Sequence, residues 1–378
     1  MQKRSQPPSG FHLKCVACAT PCASTVRELA CEVCGGVFEV EYDYAPSALG
    51  QRLPLVRPHE KLTLGEGNTP VIELKRLAAE LGLGRLWAKL EQVAPTGSFK
   101  DRGSAVLMSV AVEHGVREFV EDSSGNAGAS LSAFAASAGL KAHVFAPASA
   151  SPGKLQQISV FGAELHTVAG PRQAATDAAR AYVKERGLVY LSHNHSPFFS
   201  EGMKAFAYEA TRSPAANVRH IVMPVGNGSL LIGASRGYDE LRQASAIEVG
   251  PKFHCVQAEV VRPLVAVLNG EDWQFDRAGR TVASGIAVSK PPRIEQAIDA
   301  VRGTGGSGVA VSDDATLAWQ IRLARQEGVF CEPTSAAAFA GLEKLILSGA
   351  IKHGEDVLVP ITGSGLKEPL QANPVLHT

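Results

Sequence analysis

The segment Pro95-Thr-Gly-Ser-Phe-Lys-Asp-Arg-Gly103 sets one lysine, Lys100, between a short apolar run and a helical pattern. Ser98 and Asp101 have the S-x-x-D spacing of a capping box, which predicts a helix start with Lys100 in its first turn. The positive end of a helix disfavours an ammonium and burial disfavours it further, so this amine is disposed to lose its proton. A neutral amine attacks an aldehyde, the chemistry of a lysine that carries a carbonyl cofactor. A lysine at a helix start is more often simply solvated. Here Gly97, Ser98 and Gly103 crowd small residues around it, as a bulky planar group would require.

Three further loops follow apolar runs. Asp122-Ser-Ser-Gly-Asn-Ala-Gly128 opens an Ala-rich helix, and the free amides there, with Ser and Asn beside them, suit an anion such as a carboxylate; a plain tight turn is the alternative. Pro224-Val-Gly-Asn-Gly-Ser-Leu-Leu-Ile-Gly233 has the same strand–turn–helix form, with glycines that let backbone amides close on a phosphate. Ile361-Thr-Gly-Ser-Gly-Leu-Lys367 ends the last apolar run and offers the hydroxyl of Thr362. Facing a pyridine nitrogen, a hydroxyl leaves it largely unprotonated, a weaker electron sink than an acidic partner gives.

Five of the seven cysteines fall between Cys15 and Cys34. Cys15-x2-Cys18 and Cys31-x2-Cys34 have the paired spacing of a structural zinc site, and Cys34-Gly35-Gly36 supplies a knuckle turn. The first pair lacks a following glycine, and Cys22 is a spare. Two disulfides or unliganded thiols are the other readings, the former disfavoured in a reducing compartment.

The elements that must position these loops follow from the alternation of patterns. Arg85–Leu90, Arg117–Asp122, Lys141–Ala146, Glu164–Val168, Leu188–Ser192, His220–Val225, Lys252–Ala258 and Asp356–Ile361 read as strands. Asp101–His114, Ala127–Ser137, Arg172–Arg186, Ser200–Thr211 and Asp313–Glu327 read as helices. Such alternation predicts parallel sheets with helices on both faces, and in open sheets of that kind ligands sit beyond the C-terminal strand ends. Gly303-x-Gly305-x-x-Gly308 fits the dinucleotide fingerprint, but it follows a helical run and precedes a strand, the reverse of the required order. No Walker loop and no G-x-S-x-G elbow between strand and helix occurs.

Composition bounds the rest. At 378 residues with 45% apolar and 20% charged residues the chain is globular in type, and 37 basic against 37 acidic residues leave no global field to attract nucleic acid or an anionic membrane. Lys14 is nearly the only basic residue in the first half of the cysteine cluster, so a nucleic-acid partner is not expected. No run of 18 apolar residues exists, and the polar start Met1–Gly10 has no apolar stretch behind it, so neither membrane nor secretion is expected and a cytoplasmic home is the default.

The lysine loop closely resembles the cofactor-lysine motif of threonine synthases, in the tryptophan-synthase-β-like group (fold type II) of pyridoxal-phosphate enzymes. Gly65-Glu-Gly-Asn-Thr-Pro70, Ser124-Gly-Asn-Ala-Gly128, Glu332-Pro-Thr-Ser-Ala-Ala337 and Thr362-Gly-Ser-Gly-Leu-Lys-Glu-Pro369 resemble further motifs of that family in the same order, and the cysteine module resembles the ribbon some members carry. The resemblance implies two doubly wound open-sheet α/β domains behind a zinc-ribbon-like module at 1–44. The larger, cofactor-binding domain would be 45–95 with 213–378, and the smaller, substrate-side domain 96–212. It implies that Lys100 bonds the cofactor and shuttles protons, that Asn126 contacts the cofactor's ring hydroxyl, and that Gly226, Asn227, Gly228, Ser229 and Leu230 receive its phosphate. Thr362 would face the ring nitrogen and Phe99 would pack near the ring, or serve only as a core anchor. Ser123, Ser124, Gly125, Asn126 and Ala127 would hold the substrate carboxylate, with Lys204 as a further substrate contact.

The implied activity is that of a lyase of amino-acid biosynthesis, converting O-phosphohomoserine and water to threonine and phosphate, in a homodimer. Three departures bear on the substrate. The phosphate loop reads Gly226-Asn-Gly-Ser-Leu230 where Gly-Asn-x-Gly-Asn is usual. Ser364 and Glu368 stand where His and Asp are common, and Phe199 stands where the family offers an arginine. A paralogue catalysing β-elimination, deamination or β-replacement on another amino acid is therefore the alternative, with a catalytically dead zinc-ribbon binding protein behind it.

Overall fold

A computed structural model describes residues 10–22, 25–27, 29–274 and 279–368. The first nine residues and Pro369 of the last motif lie outside the described residues. The strands run β1 (Phe11–Cys15), β2 (Pro21–Cys22), β3 (Phe38–Tyr42), β4 (Val71–Glu73), β5 (Leu86–Lys89), β6 (Glu118–Glu121) and β7 (Lys141–Pro147). They continue as β8 (Glu164–Val168), β9 (Val189–Tyr190), β10 (His220–Pro224), β11 (Lys252–Ala258), β12 (Gly308–Val311) and β13 (Val357–Pro360). Among the helices are α1 (Lys75–Leu81), α2 (Lys100–Glu113), α3 (Asn126–Ala138), α4 (Pro152–Val160), α5 (Arg172–Arg186) and α6 (Pro197–Gly202). After these come α7 (Ala205–Ala210), α8 (Ser229–Gln243), α9 (Pro263–Leu268), α10 (Ile294–Gly303), α11 (Asp313–Glu327) and α12 (Pro333–Leu347).

The chain falls into two compact units, 1–66 with 100–204, and 67–99 with 205–378. The first holds an antiparallel ribbon, order β2-β1-β3, and a parallel four-stranded sheet, order β8-β7-β6-β9. On one face of that sheet Ala179 of α5 packs with Val120 and Phe145; on the other, Ala129 of α3 and Ile158 of α4 pack with Val144. The second unit holds a six-stranded sheet, order β12-β11-β10-β13-β5-β4, parallel except for β4 against β5. Val222, Val256, Val357 and Val359 join Phe339 and Leu342 of α12 in its core. Strands covered on both faces need such apolar runs.

Two expectations meet a different arrangement. Residues 45–66 group with the first unit, because α2 holds them: Glu113 accepts the N–H groups of Val56 at 3.0 Å and Arg57 at 2.8 Å, and Ser109 Oγ accepts that of Leu62 at 2.8 Å. The single helix expected over Ser200–Thr211 is instead α6 and α7, broken at Met203–Lys204. Gly202 lies so close to α2 that a Cβ there would stand 2.0 Å from the Arg102 carbonyl oxygen, so α6 ends on a backbone contact rather than running on. The glycine triplet at Gly303–Gly308 runs from α10 into β12, helix before strand, as the sequence order required.

Candidate functional site

Lys100 is the first residue of α2. The expected capping box is not made. Ser98 instead pairs in extended form with Gly363, its hydroxyl buried without a hydrogen-bond partner among the described residues, while Asp101 Oδ1 accepts from Ser130 Oγ at 2.6 Å. Lys100 retains an open edge, yet its amine is crowded by protein. Burial is the largest influence on it; with Arg172 adding to that and Glu121 opposing, its pKa falls to about 8.

Glycines bring α6 to this lysine. A Cβ on Gly103 would meet the Phe199 carbonyl oxygen and Met203 Cε at 2.7 Å each, so only glycine there lets α6 lie on the first turn of α2. The contact sets Lys100 Nζ 5.5 Å from the Phe199 ring centroid. His193 meets the same ring edge-on at 5.5 Å, and its Nδ1 lies 2.6 Å from Glu121 Oε1.

Sequence reading missed Glu121 and His193. Burial, then Asp122, pushes the Glu121 carboxyl well up; burial, then Lys100, pushes His193 well down. For Asp122 burial works the other way, but Arg172 and the Thr176 hydroxyl outweigh it and hold the carboxyl low. The available signal was the pair of adjacent carboxylates, Glu121 and Asp122, that follows Phe119 and Val120 at the end of β6.

The α3 start is as expected. Gly125 caps the helix in extended conformation with no side-chain cap, and its N–H donates to Ser123 Oγ at 3.3 Å. The start of α3 therefore has no side-chain cap, with Ser124, Asn126 and Ala127 beside it. Lys204, by contrast, is fully buried, with Nζ 2.6 Å from Glu201 Oε2 and donating to Tyr42 Oη at 3.2 Å.

In the second unit, α8 begins at Ser229 behind Gly228, which takes φ +82° and provides no side-chain cap. A Cβ on Gly226 would stand 2.7 Å from the Gly285 carbonyl oxygen. Gly226, Asn227 and Gly228 therefore form a tight turn into the first residues, Ser229 and Leu230, of a 15-residue helix, the kind of helix start that can accept a phosphate. Thr362 is buried, with Oγ1 2.9 Å from Ser335 Oγ, and its carbonyl accepts the Phe99 N–H at 3.1 Å. That bond ties Phe99, immediately before Lys100, to the end of β13.

In the ribbon the sulfurs of Cys15, Cys18, Cys31 and Cys34 come together, without Cys22. Cys15–Cys34, Cys18–Cys34 and Cys18–Cys31 are 3.5, 3.4 and 3.7 Å apart. Four thiolates at about 2.3 Å from one zinc would be about 3.8 Å apart, so the donor set fits the metal. Ala19, with φ +58°, takes the left-handed place after the first pair that Gly35, with φ +74°, takes after the second.

Residues 62–363 match the sequence family described as pyridoxal-phosphate dependent enzyme. The chain belongs to that family. It is 34% identical over 377 residues to the threonine synthase of Methanocaldococcus jannaschii, covering 94% of this chain and 93% of that protein. The threonine synthase of Methanosarcina acetivorans is 33% identical over 378 residues, covering 95% and 93%. Among solved structures, O-ureido-L-serine synthase matches with a TM-score of 0.67 at 21% identity, over 80% of this chain and 90% of that one. Maize serine racemase matches with a TM-score of 0.69 at 19% identity, over 82% and 90%.

The enzyme thus has the tryptophan-synthase-β-like fold and is a threonine-synthase-like lyase that uses pyridoxal phosphate. Each unit taken by itself offers groups of the kind this cofactor uses: in the first, the amine of Lys100 with its pKa lowered to about 8, and in the second, an uncapped helix start behind Gly226 and Gly228 and the buried hydroxyl of Thr362. No helix among the described residues is long and apolar enough to cross a membrane.

Proposed function

We propose that Lys100 bonds the cofactor and that the enzyme eliminates or replaces a group at the β or γ carbon of a small amino acid, with O-phosphohomoserine to threonine as the leading reaction. The observation that carries this reading is a lysine with pKa about 8 at the start of α2, in a chain about one-third identical to threonine synthases over most of its length. Bound pyridoxal phosphate supplies an aldehyde for an amine and an electron-withdrawing ring that eases loss of a proton from the neighbouring carbon. Lys100, its pKa lowered to about 8, takes and returns protons at the substrate carbons. The α3 start, Ser123 to Ala127, orients the substrate carboxylate; Asn126 and Thr362 steady the ring by its hydroxyl and its nitrogen. Gly226 to Leu230 hold the cofactor phosphate, and Phe99 packs near the ring. The proposal includes a homodimer, a cytoplasmic home, no nucleic-acid partner and zinc on the four ribbon cysteines.

A second reading is favoured by Phe199. A phosphate monoester is best gripped by arginine forks with lysine and hydroxyl donors. Phe199 is fully buried beside Lys100, and Lys204 is held by Glu201. Ser196 and Ser200 keep buried hydroxyls without partners among the described residues, donors that suit an uncharged group. Losing one charge-assisted contact costs about 1.5–3 kcal/mol, roughly ten- to a hundredfold in transition-state binding. Steady-state kinetics decide between the two. A kcat/KM for O-phosphohomoserine above about 10⁴ M⁻¹s⁻¹ establishes the first reading. A much lower value, with faster turnover of an amino acid bearing an uncharged leaving group, establishes the second.

A further inference from the structure

Strands β7 and β8 run parallel in a register that sets His143 opposite Glu164 and Phe145 opposite His166. Residues two apart on a strand share a face, so all four side chains project together. That face is the one α5 covers: the Tyr182 ring lies 5.1 Å from that of His143 and 5.3 Å from that of His166, centroid to centroid. Within the group, His143 Nδ1 is 3.1 Å from His166 Nε2, and the Glu164 carboxylate oxygens stand 3.5 Å and 3.4 Å from those two nitrogens. Bonds of about 2.0–2.2 Å from one ion to nitrogen and oxygen donors, at right-angled to tetrahedral geometry, hold the donor atoms roughly 3.0–3.5 Å apart.

We propose that His143, His166 and Glu164 form a second metal site, for a divalent transition ion such as zinc, with water completing its coordination. Two histidines and one carboxylate are a donor set that such ions favour. The far side of His143 is already arranged for it. Glu118 Oε1 lies 2.7 Å from Nε2 and, by accepting the proton there, leaves the lone pair on Nδ1; a carboxylate behind a ligating histidine is the usual support. Lys141, 3.1 Å from Glu118 and 3.4 Å from Glu164, fills the role of counter-charge without an ion, and its largely solvent-exposed side chain can withdraw. On binding, the ion replaces the proton between the facing ring nitrogens, and the rings turn to converge beside Glu164. His143 and Glu164 lie toward the N-terminal ends of their strands, whereas Ser123 to Ala127 follow the C-terminal end of β6, so this site is separate from the lysine chemistry. An ion here would fasten the edge strand β8 to β7 across the intervening α4.

The test is zinc alone, titrated into metal-stripped full-length holoenzyme with the bound ions counted at saturation. Wild type should take up one more zinc per chain than His166→Phe, which keeps the ring stacked on Phe145 but cannot ligate. Cys18→Ser/Cys34→Ser should retain the ion in question, and cobalt at that site should lack the intense thiolate bands. Equal zinc counts in wild type and a folded His166→Phe chain would overturn the proposal. If His166→Phe misfolds, Glu164→Ala at a half-exposed carboxylate decides: at least a tenfold weaker second ion supports the site, and unchanged affinity overturns it.

Discussion

Lys100 at the start of α2 and Lys204 just after α6 are both enclosed by the same unit, and their surroundings differ in one respect that determines what each can do. Lys204 has a carboxylate at 2.6 Å, a phenol oxygen at 3.2 Å and the Tyr42 ring 4.5 Å from its Nζ, contacts that tie it in place. The strongest influence on Lys100 is desolvation, only partly offset by Glu121, and its edge is open. A fully enclosed lysine paired to a carboxylate holds structure together. An amine that gives up its proton near neutral pH can do chemistry. Lys89 in the second unit repeats the first case, with Glu209 Oε2 at 2.7 Å and 1% exposure.

The sharpest way to break the contrast is Lys100→Ala, which should lower turnover by at least about 10⁴-fold while leaving the fold intact, as followed by steady-state assay and circular dichroism. Lys204→Met should do the reverse. It strands Glu201 in a buried site and should cost about 3–5 kcal/mol in urea unfolding, most of it returned by adding Glu201→Gln. A Lys204→Met chain of full stability would show that the pair is not structural.

A smaller effect sharpens the difference through pH. The pKa of Lys100 in the folded chain is lowered, from 10.5 to about 8, so between those values the unfolded chain binds the proton and the folded chain does not. Stability therefore rises with pH across that window, and the penalty of a desolvated ammonium is fully present below about pH 8. Cofactor-free wild type should gain about 2–3 kcal/mol on Lys100→Met between pH 8 and 10.5. A flat difference would place Lys100 in water.

Much of this was legible in the sequence because it is local. Glu164–Val168, Lys252–Ala258, Arg172–Arg186 and Asp313–Glu327 have the boundaries their periodicity predicts, and the loops at Lys100, Asn126 and Gly228 follow strands into helices as read. What stayed hidden depends on distant partners. The S-x-x-D spacing cannot show that Gly363 draws Ser98 out of the cap, nor that Tyr42, from the ribbon, reaches Glu201 and Lys204. Glu121 and His193 are 72 positions apart and meet only because β6 and β9 are neighbours. A helical pattern through Ser200–Thr211 likewise gives no sign that Gly202 will press on Arg102.

The most direct test of the central claim is borohydride reduction of the cofactor-loaded enzyme followed by peptide mapping. Lys89 and Lys204 are enclosed and paired to carboxylates, whereas Lys100 has a lowered pKa and an open edge. The reduced cofactor should be found on the peptide containing Lys100, with Lys89 and Lys204 unmodified. A label on either of those two would contradict the account, because a lysine held in a buried ion pair would then be the one that bonds the cofactor.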